Sequence, residues 1–292
     1  MNEKPSILVT GCKGQLGSEI RDLSGSYDLG FFFTDIDELD LLNNNDLNNF
    51  FLNNKVDHII NCAAYTAVDK AESEEDKARQ INRDAVMNLI HCAEKYSAGL
   101  IHVSTDYVFD GKGNTPYTED HPVNPLTIYG KTKLEGEERI LNSDARAMII
   151  RTSWLYSSYG NNFVKTIFRL GKERDELGVV NDQTGTPTYA RDLGKAILDI
   201  TDKCVNDPGM FIGGIYHYSN EGACTWYDLA VEIIKLTGIE CNIKAIGTVD
   251  YPTPAERPGY SVLSKEKIKE TFSITVPEWR ESLRECLLML NG

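Results

Sequence analysis

No stretch of this chain approaches the roughly 20 consecutive apolar residues that a membrane-spanning helix requires. The opening Met1-Asn2-Glu3-Lys4-Pro5-Ser6 runs straight into a short apolar segment, without the basic and long apolar regions that direct export. Both absences predict a cytoplasmic protein with no membrane partner. Basic residues are also scarce. Thirty Lys and Arg stand against 44 Asp and Glu, a formal charge of -14, and such a surface repels nucleic acid and anionic lipid over most of its area. An anionic ligand must therefore be met by a few placed donors. Cys12, Cys62, Cys92, Cys204, Cys224, Cys241 and Cys286 stand singly, without the paired spacings of a zinc site or a redox motif, and read as reduced core thiols. The five histidines show no ligand spacing either, and no internal repeat is visible.

What is present suffices for a substantial core. With 292 residues, 41% of them hydrophobic, the chain can form one large domain or two lobes sharing a cleft. Its first half alternates short apolar runs with amphipathic stretches, the pattern of an α/β protein with a doubly wound parallel sheet. Strands are predicted at Ile7 to Thr10, Leu29 to Thr34, His58 to Cys62, Leu100 to Ser104 and Ala147 to Arg151. Helices are predicted at Gln15 to Leu23, Asp46 to Leu52 within an Asn-rich stretch, Glu75 to Tyr96 and Thr127 to Leu141. This is a Rossmann-type order, with right-handed crossovers expected. Beyond Arg151 the alternation loosens: helix Phe163 to Lys172, a short strand at Val179-Val180, helix Ala190 to Ile200, a strand at Ile215 to Tyr218, helix Trp226 to Leu236 and a Pro-rich run from Tyr251 to Pro258. That predicts a smaller C-terminal α/β substrate lobe. The expected division gives residues 1–156 and 188–218 to dinucleotide binding, and 157–187 and 219–292 to a nucleotide-sugar-binding lobe.

Gly11-Cys12-Lys13-Gly14-Gln15-Leu16-Gly17 falls between the first strand and the first helix. A glycine turn there lets the backbone approach a pyrophosphate, whose charge meets amide hydrogens and the positive helix end. A lone glycine loop is often an ordinary tight turn; its placement makes this one a dinucleotide signal. Asp35 follows the second strand, where a carboxylate accepts hydrogen bonds from adenosine ribose hydroxyls and favours NADH. Lys13 can meet a 2'-phosphate and favours NADPH, while Asp35 and Asp37 also suit solvated turn positions. The reduced cofactor is left open between NADPH and NADH. Tyr129 and Lys133 stand four residues apart on a predicted helix, on one face and about 6 Å apart along the axis. The ammonium there favours the phenolate and makes the phenol a better proton donor and acceptor. By itself the pair more often marks a half-exposed helix face; beside a glycine loop it suggests a nicotinamide-dependent enzyme.

Further motifs follow in order: Asn61-Cys62-Ala63-Ala64-Tyr65-Thr66-Ala67-Val68-Asp69-Lys70, Ser104-Thr105-Asp106-Tyr107-Val108-Phe109, Arg151-Thr152-Ser153-Trp154, Gly160-Asn161-Asn162-Phe163, Asp182-Gln183-Thr184-Gly185-Thr186-Pro187-Thr188 and Arg257-Pro258-Gly259-Tyr260-Ser261. On these, over nearly its whole length, the chain resembles the extended short-chain dehydrogenase/reductases, most closely the dTDP-4-dehydrorhamnose reductase family. The resemblance implies NADPH- or NADH-dependent reduction of the C4 ketone of dTDP-4-dehydro-beta-L-rhamnose. It implies that Thr105 hydrogen-bonds the substrate carbonyl, Tyr129 gives it a proton, and Lys133 holds the nicotinamide ribose while tuning Tyr129. Thr105 also suits the simpler task of capping the following turn. The residues expected along the dinucleotide are Gly11, Lys13, Gly14, Gln15, Leu16, Asp35, Asp40, Leu41, Ala63, Ala64, Tyr65, Tyr129 and Lys133.

Thr66, Val68, Thr105, Asp106, Trp154, Asn162 and Arg257 are expected on the dTDP-sugar, with Asp69 bordering it. Val68 and Trp154 equally suit burial in a core, although a flat apolar ring can pack on a pyranose face. Arg257 leads for the pyrophosphate because a planar guanidinium suits a phosphate; Lys165 and Arg169 are weaker, and Gln183 and Thr188 complete the family's motif. A 4,6-dehydratase is disfavoured because Tyr107 follows Thr105-Asp106 where that family carries a glutamate. Another nucleotide-sugar 4-ketoreductase or a 4-epimerase of the same superfamily shares the Tyr and Lys and is harder to separate, and the exact nucleotide sugar is left open. A dinucleotide-binding regulatory subunit without catalysis is disfavoured by the intact Thr105, Tyr129 and Lys133. Some family members form a magnesium-bridged dimer through glutamates; Glu19 matches one such position, but Arg191 replaces another carboxylate. No metal is therefore expected, and a homodimer is left open.

Overall fold

The computed structural model describes residues 4–291. Six parallel strands make the central sheet: β1 (Ser6–Thr10), β2 (Gly30–Thr34), β3 (His58–Asn61), β4 (Gly99–Thr105), β5 (Ala147–Thr152) and β6 (Gly214–His217). Their spatial order is β6-β5-β4-β3-β1-β2. The longer helices are α1 (Gln15–Leu23), α2 (Asn44–Asn53), α3 (Ala85–Tyr96), α4 (Ile128–Leu141), α5 (Phe163–Glu173), α6 (Ala190–Asn206), α7 (Trp226–Thr237), α8 (Glu266–Phe272) and α9 (Trp279–Asn291). Successive strand side chains point to opposite faces. Ile7, Val9, Ile60, Ile101, Met148 and Ile150 therefore share one core with Leu16 and Ile20 of α1 and Leu193 and Ile197 of α6. Leu8, Ile59, Leu100 and Ile149 share the other with Leu47 and Phe51 of α2 and Leu89, Ile90 and Ala93 of α3. Burial on both faces is why these strands read as continuous apolar runs.

β1 pairs in parallel with both β2 and β3. The chain winds one way from this point and then the other, and open α/β sheets bind ligands beyond the carboxyl ends of their strands at such a place. A third core lies apart from the sheet, joining Val164 and Ile167 of α5, Leu177 and Val179, Leu229 and Ile233 of α7, and Trp279, Leu283 and Cys286 of α9. α8 returns to the main sheet, where Ile268 and Phe272 join the first core.

Eight of the nine strands and helices predicted from Ile7 to Arg151 form as single elements, and α6 runs six residues past the expected Ile200. The stretch Glu75 to Tyr96 is not one regular helix: Glu75–Arg79 is α, Gln80–Asp84 a π turn, and α3 follows. The cause is Asn82, fully buried, whose carboxamide accepts from the Tyr65 amide and donates to the Tyr65 carbonyl and the Thr132 hydroxyl. Its own carbonyl lies against Gly136, where a side chain would collide with it. A widened turn supplies that approach. Unanticipated are the strand Asn242–Ile246, which pairs in parallel with Glu176–Val180, and helices α8 and α9.

One ion pair fixes α4 on the sheet. Arg151, at the end of β5, donates to the Glu137 carboxylate from Nη2 at 2.6 Å and from Nε at 3.0 Å. Both side chains are buried, and the guanidinium lies over the Phe109 ring. Removing one member of such a pair leaves an uncompensated buried charge, which costs about 3–5 kcal/mol. Glu137→Leu is expected to lower unfolding stability by about that amount in a urea titration; an unchanged midpoint would show that α4 is held by packing alone.

Candidate active site

The glycine loop opens the site. Gly11 has φ +65°, and a Cβ there would lie 2.7 Å from the Ala63 amide nitrogen, so a side chain at 11 would push β1 and β3 apart. Gly17 lies against the Gly11 carbonyl and the Cys12 backbone, which lets α1 start directly above the loop. No side chain caps α1 at Gly14, and the first turn of a helix leaves its amide hydrogens without intrahelical partners. This cradle fits a pyrophosphate. Asp35 organises the neighbouring loop: one carboxylate oxygen accepts from the Lys13 amide and the other from the Ile36 amide. The Lys13 ammonium is held by Asp37 at 2.8 Å and Glu38 at 3.0 Å.

Beyond the strand ends lies a cleft of about 1350 Å³, room for a dinucleotide and a second ligand. Its walls include Gly11, Lys13, Gly14, Gln15, Leu16, Asp35, Asp40, Leu41, Ala63 and Ala64, together with Thr66, Val68, Asp69, Thr105, Asp106, Tyr129, Lys133, Trp154, Asn162 and Arg257. Tyr65 faces elsewhere. Its ring packs with Ala71 and Ala78 and its hydroxyl donates to Glu74, because Asn82 grips its backbone and turns the side chain away from the cleft.

Tyr129 and Lys133 come from one face of α4, whose start is capped by the Thr127 hydroxyl accepting from the Gly130 amide. Burial pushes the Tyr129 phenol up to about 12, opposed by the Thr105 hydroxyl, which favours the phenolate. Burial also pulls the Lys133 ammonium down to about 8. Its Nζ donates to the Val103 carbonyl at 2.7 Å and lies 3.2 Å from His102 Nε2. Thr105 donates to Asp106 Oδ1 at 3.0 Å and accepts from the Tyr107 amide, so it does cap the turn at Asp106–Val108 as well as facing the cleft.

Other placements differ from a simple binding role. Arg257 Nη2 is paired with Asp69 Oδ2 at 2.7 Å, tying the Pro-rich loop to the segment after β3. Asn162 caps α5 through its carbonyl and donates from its amide to Gln15 and to the Ser157 carbonyl, joining the third core's helix to the glycine loop. Gln183 is buried on Thr248, and Thr188 is buried against Thr152. Lys165 donates to the Ser158 carbonyl, and Arg169 pairs with Glu173 on an exposed helix face. Arg191 pairs with Glu19 at 3.2 Å, and the Ser157 hydroxyl donates to the other Glu19 oxygen. A cation supplied by the chain thus meets the buried carboxylate. Among the described residues no three His, Cys, Asp or Glu side chains converge as a metal site.

Sequence reasoning passed over Trp226 and Phe163. Trp226 stacks on Trp154 with centroids 3.5 Å apart and planes 9° off parallel, and Phe163 tilts against it. Both line the cleft. Trp154 itself has φ +46°, a left-handed conformation unusual for a bulky residue, which places its ring over Gly185. The strain was not legible from the sequence; the aromatic at the first position of a helix was.

Asp106 is buried, with Oδ2 lacking a partner, and burial raises its carboxyl to about 6. A raised carboxyl pKa means that the folded chain holds a proton the unfolded chain releases. Its stabilising contribution is complete below the ordinary value of 3.8 and is lost as pH rises through about 6; at about 1.4 kcal/mol per unit this is on the order of 3 kcal/mol. Asp106→Asn is expected to flatten the fall in stability between those pH values, read from urea midpoints at each pH. The same slope in both proteins would assign the titration to another group.

Three comparisons bear on this cleft. Residues 5–291 match the family model described as RmlD substrate binding domain. A dTDP-4-dehydrorhamnose reductase from Aggregatibacter actinomycetemcomitans is 40% identical over 287 residues, 95% of this chain and 97% of that protein. A crystal structure of a dTDP-4-dehydrorhamnose reductase from Clostridium acetobutylicum is 44% identical, with TM-score 0.92 over 98% of this chain and 100% of the other. One from Bacillus anthracis in complex with NADP is 36% identical, with TM-score 0.92 over the same shares. The sheet that sets the glycine loop beside Tyr129 and Lys133 is thus a shared one, and the chain belongs to the RmlD substrate binding domain family.

Proposed function

We propose that this chain reduces the C4 ketone of dTDP-4-dehydro-beta-L-rhamnose to dTDP-L-rhamnose with NADPH or NADH. The observation that carries the reading is the convergence of Thr105, Tyr129 and Lys133 on the cleft that the glycine loop opens, in a chain 40% identical to a dTDP-4-dehydrorhamnose reductase over nearly its full length. A bound reduced nicotinamide dinucleotide supplies the hydride. The chain's own groups manage the oxygen. Charge gathering there is met by donors more strongly in the transition state than in the ground state. Tyr129 gives up its phenolic proton to that oxygen. Thr105 turns its single hydroxyl proton from Asp106 to the same oxygen, and Lys133 stabilises the phenolate left behind.

In this reading Arg257 exchanges Asp69 for the substrate pyrophosphate, and Trp154, with Trp226 behind it, supplies a flat apolar wall. Residues 1–156 and 188–218 hold the dinucleotide, and 157–187 and 219–292 supply most of the sugar-nucleotide side. Lys13 is divided between Asp37 and Glu38, so a 2'-phosphate must compete with two carboxylates while an adenosine ribose need not; both cofactors are retained. The seven free thiols suit a reducing compartment, and we place the enzyme in the cytoplasm. Every residue in the mechanism comes from one chain, so the chemistry needs no second copy; a homodimer is carried over from the family as an expectation that sedimentation would test. No elimination base stands at Tyr107, which separates this reading from a dehydratase.

Tyr129→Phe is expected to lower turnover about 100- to 10,000-fold, the usual contribution of a general acid, while dinucleotide affinity changes little. Reduced-cofactor absorbance with the keto-sugar nucleotide measures the first, and cofactor fluorescence titration the second. Full activity in the variant, or an inert parent protein that binds dinucleotide tightly, overturns the reading.

A further inference from the structure

Behind the cleft, four buried polar side chains form an unbroken line from Thr10 through Asn61 and His102 to Lys133. Hydrogen-bond accounting along it leaves one solution. Asn61 Oδ1 accepts from the Ala63 amide at 3.1 Å and from the Thr10 hydroxyl at 2.7 Å. A backbone amide can only donate, so the carboxamide cannot be turned over: its oxygen faces Ala63 and its NH₂ faces His102. That NH₂ lies 2.9 Å from His102 Nδ1. Nδ1 must therefore present a lone pair. Burial pulls the imidazole well below its ordinary range, so His102 is neutral and carries its one proton on Nε2. Nε2 points at Lys133 Nζ, 3.2 Å away.

An N–H aimed at a lysine nitrogen is satisfied by an amine, which has a lone pair, and opposed by an ammonium, which has none. The amine closes the whole line: it accepts from His102, donates one hydrogen to the Val103 carbonyl at 2.7 Å and keeps one for the cleft. We propose that Asn61 and His102 are positioning residues, a tautomer lock that favours the amine of Lys133 over its ammonium in the dinucleotide-free protein and so weakens its hold on the third proton. The other ionisable groups around Lys133 are Cys62 after β3, Tyr129 and Glu137 on α4 itself, and Arg151 of β5, which is bound to Glu137. Glu137 and Cys62 favour the ammonium, and burial outweighs them. The lock adds to burial a directional term: it acts on one proton state of one atom. Its role in turnover rests on the proposed reductase chemistry, in which Lys133 takes up a proton to meet the cofactor ribose and the Tyr129 phenolate.

The test reads the free, full-length protein by nitrogen-15 magnetic resonance, so it stands apart from any activity result. Signals are assigned by their loss in His102→Gln and Lys133→Met. The expected spectrum has a bare Nδ1 and a protonated Nε2 on His102 at neutral pH, with Lys133 titrating at least about two units below the ordinary lysine value near 10.4. A proton on Nδ1, or an ordinary Lys133 midpoint, overturns the proposal, and these two readings need no variant beyond the assignments. Asn61→Asp goes further. Its carboxylate still accepts from Thr10 and Ala63 but must also accept from His102, which moves the imidazole proton to Nδ1 and offers Lys133 a lone pair. The Lys133 midpoint is expected to rise about tenfold or more in proton affinity. Introduced into a His102→Phe background, Asn61→Asp is expected to raise the Lys133 midpoint much less than it does in the parent protein; an equal increment would mean that the added charge, and not the tautomer, acts on Lys133, and the lock would be refuted.

Discussion

The buried pair between Glu137 and Arg151 is the constraint on which the site depends. α4 carries the phenol and the amine, β4 carries Thr105, and their separation is set where a carboxylate one turn beyond Lys133 is clamped to the last residues of β5. β4 and β5 are joined in register up to Thr105 and Thr152. Moving α4 along the sheet by a turn would strand two charges in an apolar core. Packing alone tolerates small slides, whereas a two-point hydrogen-bonded pair at 2.6 and 3.0 Å does not. Neither Glu137 nor Arg151 lines the cleft, so the residues facing it are held in place by groups that do not border it.

Against that scaffold, much of the first half was legible because its signals are local. Ile7 to Thr10 followed by spaced glycines announces a strand, a tight turn and a helix start within a dozen residues, and Gly11 has the positive φ that such a turn demands. Tyr129 and Lys133 needed only the helical repeat. The third core was less legible for a physical reason. Asn242–Ile246 is short and mostly exposed, and Trp279, Leu283, Cys286 and Leu287 keep helical spacing but find their partners in α5 and α7, far away in sequence.

Tyr65 and Arg257 mark the other limit. Motif position placed Tyr65 beside the cofactor, but the π turn at Gln80–Asp84 brings Asn82 onto its backbone and sends its ring the other way. Arg257 was expected on the substrate pyrophosphate, and the fold supplies it with Asp69 from nearly two hundred residues away. Neither outcome can be deduced from a window of sequence, since both turn on a partner that only the assembled chain brings near. The hydrogen-bond line from Thr10 to Lys133 is of the same kind: each member lies on a different element, and its meaning is in the order of donors and acceptors.

The Asp69–Arg257 contact has a consequence for what the cleft admits. Its guanidinium is never naked, so an incoming group gains by charge only to the extent that it outbids a carboxylate seated 2.7 Å away. Water and neutral sugars offer nothing for that swap. Under the proposed reading a doubly charged diphosphate does, and its binding to Arg257 would free Asp69 and with it the Ala255 amide that the same carboxylate also holds. Recognition at this rim, on that reading, is an exchange of anions, and the Pro-rich loop's hold on the segment after β3 becomes sensitive to the charge of what enters.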